Sequence, residues 1–167
     1  MKYRLLSFEE LQSLDKEFMG FLAKRSITPE EWSHIRIKSQ EKAVELIEAF
    51  SEQVFEQVLG QVEYLEHKEA KKYRHLHFKK DTYVELGLTA DPESDMDFRD
   101  PEQLQEFINS VQKSLATKLS VFRKEEKYEK SRTEEIFMYV EAGAKRSDKK
   151  AFDLMEVLYN ESRAIQN

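Results

Sequence analysis

The sequence predicts an α+β protein, rich in helix and built around a small antiparallel sheet of about three strands. Three observations carry this. Apolar residues recur every three or four positions through most of the chain, as on one face of a helix. Between residues 75 and 88 the period switches to two, as on a half-buried strand. Only four glycines occur in 167 residues, too few for a chain of hairpins, whose tight turns need positive φ. The length fits one domain, residues 1–167. A domain of this size buries roughly 70% of its unfolded surface.

Ser7 and Glu10 have capping-box spacing. Phe8, Leu11, Leu14, Phe18, Phe21 and Leu22 then share a face, which predicts a helix over 8–25. Thr28-Pro29-Glu30-Glu31 opens a second, shorter helix whose apolar side is Trp32 and Ile35. Ser39 is a candidate cap for a third. Its stripe is Ala43, Val44, Ile47, Phe50, Val54, Phe55, Val58 and Leu59, continuing to Val62 and Leu65 across Gly60. One long helix to about residue 66 is favoured, with a strand at 62–67 as the alternative.

The switch in period comes next. Leu76 and Phe78 alternate with His75, His77 and Lys79, and Val84, Leu86 and Leu88 alternate with Tyr83, Glu85 and Gly87. This is a hairpin. A three-residue loop, Lys80-Asp81-Thr82, would pair Phe78 with Val84 and Leu76 with Leu86 and keep these apolar residues on one face. Residues 90–100 form an acidic connection ending in a cap at Asp100, followed by a helix through Leu104, Phe107, Ile108, Val111 and Leu115. Lys118–Lys127 reads as a third strand. Its charged second half faces solvent or lies at an edge. Ser131 or Thr133 opens a helix through Ile136, Phe137 and Val140, with Gly143 as its C-terminal cap. Ser147-Asp148 opens the last, with Ala151, Phe152, Met155, Leu158 and Tyr159 on one face and fraying from 160 to 167. The small sheet is expected to be covered on one face.

Charged residues make up 36% of the chain, against about 25% typically. The apolar periodicity nevertheless marks a folded protein. Cysteine is absent, which excludes disulfides, thiolate catalysis and cysteine-based zinc sites. No long apolar segment is present, so a soluble cytoplasmic protein with no membrane partner is expected. The net charge of −6 argues against general nucleic-acid binding. The distribution is uneven, however. Residues 67–80 carry six Lys or Arg and one acid, while 91–102 carry six acids and one Arg.

The words Met1-Lys-Tyr-Arg-Leu-Leu6, Phe21-Leu-Ala23, Ser26-Ile27, Glu31-Trp32, Phe50-Ser51 and Val62-Glu-Tyr-Leu-Glu66, with Ile136-Phe137 and Glu141-Ala-Gly-Ala144, are scattered over most of the chain. In them the sequence resembles a small bacterial family of cytoplasmic proteins known only as a domain of unknown function. The resemblance implies a compact stand-alone protein and carries no activity, cofactor or catalytic residue. The resemblance does not extend to the His75-Leu-His77 pair.

Three of four histidines lie within His67–His77. His75 and His77 point to one face of a strand, about 6.6 Å apart along it. With Glu85, opposite His77 in the expected register, and His67 or Glu66 nearby, they form a candidate zinc or iron set. The surrounding lysines and arginine oppose a cation there. The same residues could hold RNA, with lysines on phosphates and Tyr73, His75 and Tyr83 stacking bases. The acidic chain and the lack of an RNA-binding signature weigh against it. Asp91, Glu93, Asp95, Asp97 and Glu102 echo a calcium loop, but Met96 stands where glycine is needed. A solvated loop with Asp100 as helix cap accounts for them.

No phosphate loop, GxSxG or HExxH is present. Glu30-Glu31 and Glu134-Glu135 sit at helix starts, where the macrodipole explains them. The reading that results is a binding or structural module with no cofactor, whose partner is another protein or a second copy; the alternatives are a metal-dependent enzyme using His75, His77 and Glu85, and RNA binding through the basic hairpin. Its expected contact surface is an exposed basic hairpin: Lys71, Lys72, Tyr73, Arg74, His75, His77, Lys79 and Tyr83.

Overall fold

The computed structural model describes residues 1–111 and 119–166. Among them are seven helices and one five-stranded antiparallel sheet, an α+β fold. The helices are α1 (Phe8–Ser13), α2 (Asp15–Ala23), α3 (Pro29–Lys38), α4 (Gln40–Gly60), α5 (Pro101–Val111), α6 (Arg132–Glu141) and α7 (Lys149–Gln166). The strands are β1 (Tyr64–Lys68), β2 (Lys72–Phe78), β3 (Thr82–Ala90), β4 (Leu119–Lys127) and β5 (Lys145–Arg146), in the order β4-β3-β2-β1-β5. The chain divides into two compact units, Met1–Gln61 and Val62–Asn167. No helix among the described residues is long and apolar enough to cross a membrane.

The first unit is helical. The expected Ser7–Glu10 capping box forms, and the expected helix start at Thr28 is also a capping box, with Glu31. Arg4 and the Ser7 N–H hold the Glu10 carboxyl down at about 2. The expected helix over 8–25 is broken at Leu14 (φ −106°, ψ 24°) into α1 and α2. The break leaves Phe8 exposed while Phe18, Phe21 and Leu22 pack with Trp32, Ala43 and Phe50. Ser39 precedes α4 without a side-chain cap bond. Buried Ser51 accepts a hydrogen bond from the Leu6 N–H at 3.1 Å, tying the N-terminal segment to α4.

The second unit carries the sheet. The helix expected to reach residue 66 stops at Gly60, and the alternative strand is the one present, as β1. With β5 it raises the sheet from the expected three strands to five. The hairpin register is also one residue off the expected one. Lys79 N–H bonds Thr82 O at 2.9 Å, Phe78 pairs with Tyr83, Leu76 with Glu85, His75 with Leu86 and His77 with Val84. Neither Lys80 nor Asp81 takes a positive φ, so the absence of glycine is no obstacle.

The register error has a physical cause. Paired residues share a face of the sheet, and here both faces are covered. One face presents Tyr73, His75, His77, Val84, Leu86 and Leu88. Phe98 of the connector, Leu104 and Phe107 of α5, and Phe152 and Met155 of α7 complete its core. The other face presents Leu65, Leu76, Phe78, Tyr83 and Glu85. There α6 packs, with Tyr139 against Phe78 and Tyr83 at ring separations of 6.0 and 6.2 Å. Leu76 and Phe78 therefore need no apolar partner across from Val84 and Leu86. At Gly87 an added Cβ would lie 2.4 Å from Phe122 Cζ, so the glycine lets that ring lie over the strand.

β4 is an edge strand, as its charges require, and α6 opens on a Ser131–Glu134 capping box. Gly143 (φ 103°) follows the C-cap of α6, where the left-handed region favours glycine. The last helix, expected to fray from 160, continues to Gln166. The expected placement of Leu115 on a helix and of Lys118 at a strand start falls outside the described residues.

Candidate functional site

The expected exposed cationic ribbon is not there. Of Lys71, Lys72, Tyr73, Arg74, His75, His77, Lys79 and Tyr83, only Lys79 is exposed. Tyr73 and His75 are buried under α5 and α7, and burial of the Tyr73 phenol raises its pKa. His77 stacks on Tyr64 at 4.5 Å and meets Phe152 edge-on at 5.4 Å. Burial lowers the pKa of both imidazoles, that of His75 to about 4. The expected metal set does not converge. Glu85 pairs with Leu76 and projects from the opposite face to His75 and His77. Among the described residues no three His, Cys, Asp or Glu side chains are placed to hold a metal.

The basic and acidic stretches are matched inside the fold. Lys71 donates to the carbonyls of Ser94 and Met96, the latter at 2.6 Å. Asp91, Asp97 and Asp100 meanwhile serve Asx turns and the start of α5. Hydrogen bonds to a charged group contribute about 1.5–3 kcal/mol. Lys71→Met is therefore expected to destabilise the second unit by about 2 kcal/mol and to speed amide exchange over 91–98. Unchanged exchange would show that the loop holds itself.

On the α6 side the hairpin contributes to a different site. β2 and β3 place Arg74 and Glu85 on that face, and their groups lie 3.5 Å apart. Lys72 is 3.7 Å from the same carboxylate oxygen. The Glu85 side chain is 6% exposed, and its Oε1 accepts no hydrogen bond among the described residues. Arg74 also donates to His67 Nδ1 at 2.7 Å, while His67 Nε2 is 3.0 Å from Ala142 O. A carbonyl only accepts, so the proton of this imidazole is on Nε2 and its Nδ1 lone pair receives the guanidinium.

A cleft of about 590 Å³ opens over this network. Arg74 and Tyr83 form its floor, Glu126, Lys127 and Glu129 one wall, and Glu135, Met138, Tyr139 and Ala142 of α6 the other. The Tyr83 hydroxyl donates to Glu126 at 2.9 Å. Burial, Tyr139 and Glu126 together push its pKa well above the usual phenol range. Glu135 is buried and accepts from the Glu129 N–H at 3.2 Å. Glu134, which closes the cap, and Glu135 both lie in the first turn of α6, where the macrodipole favours them. Three carboxylates face two cations here, and Arg74 already has Glu85 beneath it. Apart from Glu135, which the sequence offered only as half of a carboxylate pair at a helix start, the wall residues from β4 onward escaped the sequence reading, because a strand and a helix that meet only in space leave no common spacing.

The model of one protein family, described as a family of unknown function (DUF6495), matches residues 1–160. No curated protein and no solved structure matches the chain.

Proposed function

The chain belongs to the DUF6495 family, and from that premise we propose that it acts by binding another protein, through the cleft between the sheet and α6. One observation carries this reading: a carboxylate-rich, tyrosine-walled cleft lies beside an edge strand. Glu126 and Lys127 belong both to the cleft wall and to β4, which no strand pairs on its outer side among the described residues. An extended segment of a partner can hydrogen-bond along that edge. A lysine or arginine from it can then enter the cleft and meet the carboxylates of Glu126, Glu129 and Glu135. A polyanion is disfavoured by the same carboxylates.

The test is amide NMR with a tetra-arginine peptide and a tetra-glutamate control at equal ionic strength. The arginine peptide is expected to shift the amides of Tyr83, Glu126 and Tyr139, and Glu126→Gln with Glu129→Gln to weaken its binding about tenfold. Equal shifts with both peptides, or none, would overturn the reading.

A further inference from the structure

We infer that α7 is a self-association surface, on which a second copy of this chain docks its own α7 in antiparallel register about a twofold axis. The inner side of α7 is spent on the core through Phe152 and Met155. Its outer side carries a second apolar pair, Leu154 and Val157, exposed at 61% and 51%. A helix serving one core needs one such stripe. The second lies along a groove of about 450 Å³ lined by Lys149, Lys150, Asp153, Leu154 and Val157.

The occupant follows from the flanks of that pair. Lys150, Leu154, Val157 and Glu161 are all exposed and lie on one line along the helix, at successive steps of four, three and four residues. That spacing reads the same in both directions. A twofold axis midway between Met155 and Glu156 sets Leu154 of one copy level with Val157 of the other. It also sets each Lys150 level with the other copy's Glu161. The contact is isologous, so each pairing occurs twice.

The helix dipole points the same way. Asp148 caps the start of α7, accepting from the Ala151 N–H at 2.8 Å, while the first turn itself holds Lys149 and Lys150 and no acid, although that end favours negative charge. Antiparallel docking brings Glu161 of the partner copy to this end. Among the described residues Lys150 and Glu161 have no ion-pair partner within the chain. The surface lies on the opposite face of the sheet from the α6 cleft, so it stands or falls independently of that site.

One helix pair is smaller than the roughly 1,200 Å² of a standard stable interface. The dimer is therefore weak and concentration-dependent. Sedimentation equilibrium of the full chain from about 10 µM to 1 mM reads it directly, with dissociation expected inside that range. Lys150→Glu and Glu161→Lys, each creating two like-charge contacts, are expected to weaken dimerisation about tenfold or more. The doubly reversed variant is expected to return to within about threefold of the parent, because the pairs re-form with signs exchanged. Leu154→Asp should leave only monomer. All three substituted positions are exposed, and circular dichroism checks that each variant keeps its helix. A parent that stays monomeric at 1 mM, single reversals without effect, or a double variant as weak as the singles would each overturn the proposal.

Discussion

Arg74→Met is expected to destabilise the second unit by about 3–5 kcal/mol, the range for removing one partner of a buried ion pair. The substitution keeps most of the side-chain volume, so the loss is electrostatic. Glu85 remains with its side chain 6% exposed and only Lys72, at 3.7 Å, for company. His67 Nδ1 loses its donor, and the Tyr139 ring loses the guanidinium 5.5 Å from its centre. Glu85→Met should cost less, because Arg74 keeps His67 and also lies 3.6 Å from Glu69, whose side chain is half exposed. The double replacement is expected to be less destabilised than Arg74→Met alone, since no buried charge is then left unmatched. Trp32, the one tryptophan, belongs to the first unit and does not report on this site. Denaturant unfolding followed by near-ultraviolet tyrosine signals, or by NMR of second-unit amides, is the appropriate measurement. A double variant as unstable as the sum of the singles would mean that Arg74 and Glu85 do not act as a pair.

Elements with local signals were legible in the sequence, and those fixed by distant partners were not. Three capping signatures correspond to three helix starts because a cap is a contact between neighbours in sequence. Gly143 was legible for the same reason. The charge of the third expected strand put it in solvent or at an edge, and β4 lies at an edge. By contrast, β1 was hidden because Val62 and Leu65 continue the helical stripe of α4 in phase. Only Gly60, with its cost of about 1 kcal/mol in a helix, hinted at the stop. β5 is two residues long and is made by pairing with Leu65 and Glu66. Nothing within Lys145-Arg146 could announce it.

The site shows the limit more sharply. The concentration of imidazole and ammonium groups at 67–80 was visible as composition, but their direction depended on register. In a sheet with one solvated face the alternation of polar and apolar residues fixes register. Here α6 covers one face and α5 with α7 the other, so His75 faces apolar residues and Glu85 lies with Leu76. A shift of one residue moved the histidines into the core and separated them from Glu85. Arg74, by contrast, stayed in play, because its length lets it reach His67, Glu69 and Glu85 from a partly buried position.

The buried histidine gives the second large expectation, an acid-labile second unit. His75 has an unfolded value near 6.5 and is held at about 4 by burial, against a weaker upward pull from Glu66 and Asp148 and a downward one from Lys68. Its Nδ1 finds no partner, so the pull of Glu66 and Asp148 does not make up for the water lost on burial. Between these values the unfolded chain binds a proton that the native protein does not, and stability rises with pH in that window. The neutral ring's contribution is therefore complete above about 6.5, falls as the pH drops toward 4, and is exhausted below it. At 1.36 kcal/mol per unit the loss is about 3 kcal/mol, and His77, shifted the same way, adds to it. Carboxylates such as Glu10, held at about 2 from an ordinary 4.5, withdraw their support only below that ordinary value, so most of the histidine window is free of them. Equilibrium unfolding at pH 7, 6, 5 and 4 should show the decline, and His75→Leu should flatten most of it while leaving stability at pH 7 equal or higher. A parent protein equally stable at pH 5 and 7, or a leucine variant with the parent's slope, would mean that this imidazole reaches solvent.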